Sequence, residues 1–209
     1  MKVDGNRFRQ KRFAMFLALL DRAGRGEGPV RVLDIGGTIS YWRALEPLWC
    51  ARHIDVTIVN IVESEPSDEG ILHIRPGDAR SLAYADNSFD VIHCNSVIEH
   101  VGHWLDMIAL AREVRRIAPH YFLQTPNFWF PIEPHYRTAF MHWFPESMRA
   151  GMLLRKKRGF VSADTFDSAM RNIQSSNLLT ARQMAALFPD AEILRERIGP
   201  LTKSLIAIR

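Results

Sequence analysis

Apolar residues change period along this chain, and each change marks an element. Between Asn6 and Ala23, Phe8, Phe13, Phe16, Leu17 and Leu20 recur at helical spacing among Arg7, Arg9, Lys11 and Arg12, and Gly24 follows as a stop. The pattern predicts a basic amphipathic helix over residues 6–23. After Gly28-Pro29, the run Val30-Arg31-Val32-Leu33-Asp34-Ile35 is short, rich in β-branched residues and ended by Gly36-Gly37. It reads as a buried central strand entering a tight turn. A helix is expected over Tyr41–Cys50, then strands over Ile54–Ile61, Ile71–Ile74 and Phe89–Cys94, with turn-forming residues between them. A helix over Trp104–Ile117 precedes a strand over His120–Gln124. Thr180 is placed to cap a helix reaching Phe188, and Ala191–Ile198 and Leu201–Ile208 flank Gly199-Pro200 with the spacing of an antiparallel hairpin.

Strands alternating with helices or short connectors predict an α/β fold: a doubly wound, seven-stranded, mostly parallel sheet closed by an antiparallel C-terminal hairpin. In such a sheet ligands sit beyond the carboxyl ends of the strands. A chain of 209 residues, 47% hydrophobic and 24% charged, is long enough for one well-buried core, and a single domain over 1–209 is expected. Residues 127–164 break the rhythm. They hold Phe128, Trp129, Phe130, Tyr136, Phe140, Trp143 and Phe144, interrupted by Pro131, Pro134 and Pro145. A segment of that length either carries its own helices or serves function directly. Following the fifth strand, it would form a cap over the ligand side.

Charge changes this picture at one place. Residues 1–31 carry eight Lys/Arg against three acids, while the remainder is nearly balanced at 19 against 20, so the basic character belongs to the N-terminal segment. Packing on the sheet is the first reading of its helix, and peripheral contact with an acidic membrane is the alternative. The run Arg155-Lys156-Lys157-Arg158 reads as a solvated face. Phe13–Leu20 is too short to span a bilayer. Cys50 and Cys94 form no CxxC or zinc-like pattern, so a reducing cytoplasm is expected and no metal site.

Four segments carry the chemistry. Val32-Leu33-Asp34-Ile35-Gly36-Gly37 joins a strand to a helix through glycines, which lets backbone approach a ligand closely. It lacks the third glycine of a dinucleotide fingerprint, because Thr38, Ile39 and Ser40 follow. Gly77-Asp78-Ala79, Asp86-Asn87-Ser88-Phe89-Asp90-Val91-Ile92-His93 and Ile98-Glu99-His100-Val101 come after it in order. Together the four segments resemble class I S-adenosylmethionine-dependent methyltransferases of the small-molecule type, over roughly residues 30–125. The resemblance implies S-adenosyl-L-methionine as cofactor. It implies Asp34 ordering the glycine turn and reaching the ligand's ammonium, and Gly36 and Gly37 making room for the methionine and ribose. Asn60, or Glu63 in a shifted register, would meet the ribose hydroxyls, and Asp78 with Ala79 would bracket the adenine. Asn95 and Ser96 would face the methyl-donor end. Thr38 and Ser40 stand where the family more often carries glycine.

Such an enzyme gains mainly by aligning donor and nucleophile. A hydroxyl acceptor would gain from a general base, and His100, His103, His135 and His142 are the candidates, with His100 and His135 foremost. Tyr136 and His142 in the cap are expected to contact the substrate. Cys94 lies inside an apolar run and reads as a core thiol. Asn95-Ser96-Val97-Ile98 lacks the Asn/Asp-Pro-Pro-aromatic motif of amino-methylating nucleic-acid enzymes, which disfavours a nucleic-acid substrate. The leading expectation is methyl transfer to a small or lipid-linked acceptor. A nicotinamide-dependent oxidoreductase and a non-catalytic scaffold with the same fold are the alternatives.

Overall fold

The structure, a computed structural model, describes residues 7–24, 27–61 and 66–209. In chain order the elements are α1 (Arg7–Ala23), β1 (Val30–Ile35), α2 (Ile39–Ala44), α3 (Glu46–Trp49), β2 (Ile54–Asn60), β3 (Ser67–Glu69), β4 (Leu72–Pro76) and β5 (Val91–Asn95). They continue with α4 (Trp104–Ile117), β6 (His120–Pro126), β7 (Ile132–Glu133), β8 (Thr138–Ala139), α5 (Glu146–Arg155), α6 (Phe166–Gln174), α7 (Ala181–Leu187), β9 (Glu192–Ile198) and β10 (Leu201–Ile208).

One sheet runs β3-β4-β2-β1-β5-β6-β10-β9. Its five inner strands, β4 to β6, are parallel, and β10 returns antiparallel beside β6 before pairing with β9. All seven expected strands are present. The eighth, β3, pairs antiparallel with β4 at the edge; it is a short polar Ser-Asp-Glu segment with no hydrophobic alternation to announce it.

The period of two along the strands sorts side chains between two cores. Val32, Val91, Phe122 and Ile206 face one side, where they meet Phe13, Phe16, Leu17 and Leu20 of α1 and Trp42 of α2. Leu33, Ile35, Ile92, Cys94, Tyr121, Leu123 and Leu205 face the other, under α4 and α7. The α1 residues are spaced i, i+3, i+4, i+7, so a single stripe is buried, each large side chain contributing on the order of 1.5–3 kcal/mol. The stripe that would have met a membrane is therefore packed on the sheet, and Arg12 of the same helix pairs with buried Glu196 at 3.0 Å. The helix expected over 41–50 is two helices that meet at Leu45, because Pro47 opens a new helix and cannot continue the old one.

The segment after β6 builds its own small core from Tyr136, Met141, Ala150, Leu153, Ala169 and Ile173, supplied by the β7–β8 hairpin, the turn that follows it, α5 and α6. The helix α6 extends this unit past residue 164, where the cap was expected to end. Thr165 starts it by accepting from the Ser168 amide at 3.1 Å.

Candidate active site

Asp34 ends on β1 with its carboxylate turned into the α1 core rather than toward solvent, at 1% exposure. Trp42 Nε1–H donates to Oδ2 at 2.6 Å and His93 Nδ1–H donates to Oδ1 at 2.7 Å. The glycine turn lies directly on this carboxylate: a Cβ built on Gly37 would stand 1.7 Å from Oδ2. Gly36 adopts φ +72°, the left-handed region that glycine tolerates, and a Cβ there would meet Val97 Cγ2 at 2.4 Å. Thr38 earns its place by capping α2, its hydroxyl accepting from the Tyr41 amide at 3.2 Å.

Two clefts open on either side of this turn. The larger, 350 Å³, is lined by Ile35, Gly36, Asn60, Asp78, Ala79 and His100 among others, the carboxyl ends of β1, β2 and β4 together with the turn after β5. The smaller, 140 Å³, is lined by Asp34, Gly36, Gly37, Thr38, His93 and Asn95. Asn60 Nδ2 donates to the Gly37 carbonyl at 2.7 Å, which pins the turn to the end of β2. Asp78 is held below its ordinary carboxylate pKa by the hydrogen-bonded Arg80 guanidinium, which also reaches Asp106 at 3.0 Å. Glu63 lies outside the described residues.

Ser96, at φ +58°, donates its hydroxyl to Gln124 Oε1 at 3.0 Å and faces a third cavity of 330 Å³. Its wall combines Phe130, Ile132 and Pro134 of the cap with Arg12, Arg137 and Lys203. Neither Arg137 nor Lys203 is in an ion pair among the described residues; they lie over the Phe160 and Phe8 rings instead. Burial pulls the Lys203 ammonium below its usual pKa.

The histidines separate into two groups. His100 and His135 are brought together, Nε2 to Nε2 at 3.1 Å. Burial lowers the His100 pKa; at His135 burial pulls the same way but is outweighed by the Glu133 carboxylate, which raises it. Next to them Glu99 is fully buried and pushed up to about 7 by that burial, against the hydrogen bond from Thr125. Residues 103, 136 and 142 instead line a 260 Å³ cavity between α4 and the cap. There His142 Nε2–H donates to the Phe128 carbonyl at 2.7 Å, and the Tyr136 hydroxyl donates to the Asn172 carbonyl at 2.8 Å. Tyr136 is 2% exposed and belongs to the cap core. Cys94 is buried, and burial lifts its thiol far above the usual range, as expected for a core residue.

Glu99 and Glu133 escaped the sequence reading. Glu133 is buried, accepting from His135 Nδ1–H at 2.6 Å and from the Tyr136 amide at 2.6 Å. An acid two residues before a histidine, with a proline between them, was the available signal.

A family model described as a methyltransferase domain matches residues 6–180. No curated protein sequence matches the chain. Among solved structures, the DszA carbon methyltransferase is similar at TM-score 0.57 and 13% identity, over 96% of this chain and 53% of that one, so this chain spans about half of it. Magnesium protoporphyrin IX methyltransferase from Synechocystis PCC 6803, solved with bound SAH, is similar at TM-score 0.53 and 13% identity, over 97% and 83% of the two chains. A protein described as a zinc-dependent alcohol dehydrogenase from Rhodobacter sphaeroides is similar at TM-score 0.53 and 11% identity, over 87% and 84%. Identities this low carry the fold and nothing finer.

Proposed function

Because the chain belongs to the methyltransferase-domain family, we propose that it transfers the methyl group of S-adenosylmethionine to a small acceptor bearing an anionic group. The observation that carries this reading is the 350 Å³ cleft across the ends of β1, β2 and β4, which shares Gly36 as a wall with the 140 Å³ pocket. Its lining fits the cofactor: a glycine turn leaves the backbone bare, an amide ends β2, and a carboxylate ends β4.

When bound, S-adenosylmethionine supplies an electrophilic methyl group, so the protein's task is alignment. Asn60 spends its amide hydrogen on Gly37 and keeps its carbonyl for the ribose hydroxyls. Asp78 and Ala79 bracket the adenine. Asp34 holds the turn through Trp42 and His93, one donor on each of its oxygens, so its part is to support the glycine turn rather than to reach the ligand's ammonium. Asn95 and Ser96 stand where the methyl donor meets the acceptor. The 330 Å³ chamber has apolar walls and two cations outside ion pairs, which suits a small molecule with a carboxylate or phosphate. His100, which lines the cleft, offers its Nε2 as a proton acceptor for a hydroxyl when no ion occupies that atom.

A lipid-linked acceptor is the second reading, favoured by exposed Trp129, Phe140, Trp143 and Phe144 on the cap, which also carries the basic run Arg155–Arg158. Calorimetry with S-adenosylmethionine, S-adenosylhomocysteine and NAD tests the first step. Binding of NAD alone would overturn the assignment. Asp78→Ala is expected to weaken S-adenosylhomocysteine by about 1.5–3 kcal/mol, the range for a hydrogen bond to a charged group. An unchanged affinity would remove Asp78 from the adenine site. Transfer of labelled methyl from the donor into cell extract, separated into water-soluble and lipid fractions, distinguishes the two acceptors.

A further inference from the structure

We propose that Glu99, His100 and His135 bind one divalent first-row transition-metal ion beside the cofactor cleft. The argument begins with proton positions. His100 Nδ1 lies 2.8 Å from the Ser175 carbonyl, which only accepts, so Nδ1 carries the hydrogen and Nε2 carries the lone pair. His135 Nδ1 lies 2.6 Å from the Glu133 carboxylate, so it too is protonated at Nδ1, and in the neutral ring Nε2 carries the lone pair. With both rings neutral, two lone pairs thus face each other across 3.1 Å, a repulsion that a metal ion or a shared proton relieves.

The third member supplies an independent sign. Glu99 is fully buried, Thr125 donates to its Oε2 at 2.9 Å, and Oε1 has no hydrogen-bond partner among the described residues. A buried oxygen left bare is costly unless a ligand satisfies it. The ligand atoms of the three residues lie within 4.8 Å of one another. Two nitrogens each about 2.0–2.1 Å from one ion, at angles between square and tetrahedral, stand about 2.9–3.4 Å apart, so the imidazole spacing already suits a shared ion.

The surroundings match a metal centre beyond the ligands. Histidine ligands characteristically donate their other ring N–H to a carboxylate or a backbone carbonyl, and here one does each. Two imidazoles and one carboxylate favour zinc, manganese, cobalt or iron(II) over calcium or magnesium. Three protein ligands would leave coordination positions open for water or an acceptor oxygen, and His100 lines the 350 Å³ cleft, so the ion would lie beside the proposed cofactor site. With the ion in place the imidazoles are ligands, not bases. The site departs from the sequence expectation of no metal because its ligands come from two distant segments.

Chelator-stripped full-length protein titrated with Co²⁺, followed by visible absorption and by competition with Zn²⁺, tests the site without cofactor or acceptor. One ion per chain is expected, with affinity falling at least about tenfold in H135A and in H100A, and about 10–100-fold in E133Q through the outer hydrogen bond. Melting of the ion-free variants checks that they fold, and H100Q, at an exposed position, repeats the test if H135A does not. Absence of binding, or equal affinity in the parent and the histidine variants, overturns the proposal. So does imidazole NMR showing a proton shared between the two Nε2 atoms that Co²⁺ leaves undisturbed. Failure here leaves S-adenosylhomocysteine binding intact, and failure of the methyltransferase reading leaves the Co²⁺ signal intact.

Discussion

Asp34 and Glu99 are both carboxylates at 1% exposure or less, both lie on the ligand side of the central strands, and both have histidines for neighbours. Their hydrogen bonding differs. Each oxygen of Asp34 receives a donor, from Trp42 and from His93, and the His93 ring is wedged between Phe16 at 4.8 Å and Phe122 at 5.9 Å. Glu99 receives one donor on one oxygen and none on the other. The saturated pair is architecture, fixing the turn that the cleft is built on. The unsaturated group is reserved for something that is not protein. Burial alone does not separate the two roles; the count of satisfied oxygens does.

Removing Asp34 should have the largest effect. Asp34→Ala leaves Trp42 Nε1 and His93 Nδ1 buried without acceptors, and a loss of about 2–5 kcal/mol in urea unfolding is expected. Gly37→Ala attacks the same carboxylate from the other side, because its Cβ would fall within bonding range of Oδ2. An overpacking cost of about 1–3 kcal/mol is expected, with loss of S-adenosylhomocysteine binding by calorimetry. If both variants unfold like the parent, Asp34 is not the support described. Glu99→Gln should be the mildest: the amide keeps the acceptor for Thr125 and puts its amino group where an oxygen already lacked a partner among the described residues, so ion-free stability should change by less than about 1 kcal/mol. A cost equal to that of Asp34→Ala would erase the contrast between the two sites.

Elements dense in periodic apolar residues were legible in the sequence. The helix Trp104–Ile117 and the strand Val30–Ile35 have the expected bounds, because Met107, Leu110, Ala111, Val114 and Ile117 keep one face and Gly36-Gly37 ends the strand. What escaped was short or polar. The edge strand β3 has no alternation, and α6 is signalled mainly by Thr165 with only Ala169 and Ile173 buried. Within the site, Gly36, Asn60, Asp78 and Ala79, expected at strand ends and motif turns, line one cleft. The Glu99–His100–His135 group was only half visible, because it forms by bringing the β7–β8 hairpin back over the turn after β5. No local pattern encodes that approach. The buried state of Tyr136 escaped for the same reason, as aromatic residues in a proline-broken segment read equally well as a pocket lining or as a small core.

That small core has a kinetic consequence. Six buried side chains hold the β7–β8 hairpin, α5 and α6 together, and they form a cluster separate from the two that sandwich the sheet. A unit with so little apolar burial opens at a lower free energy than the sheet and does so without unfolding it. Backbone amides of α5 and α6 should therefore exchange with deuterium well before those of β1, β5 and β6. The hairpin carries His135 and Glu133 while Glu99 and His100 stay with the sheet, so each opening parts the two halves of the cluster. The breathing of the cap thereby sets how often the cluster is assembled.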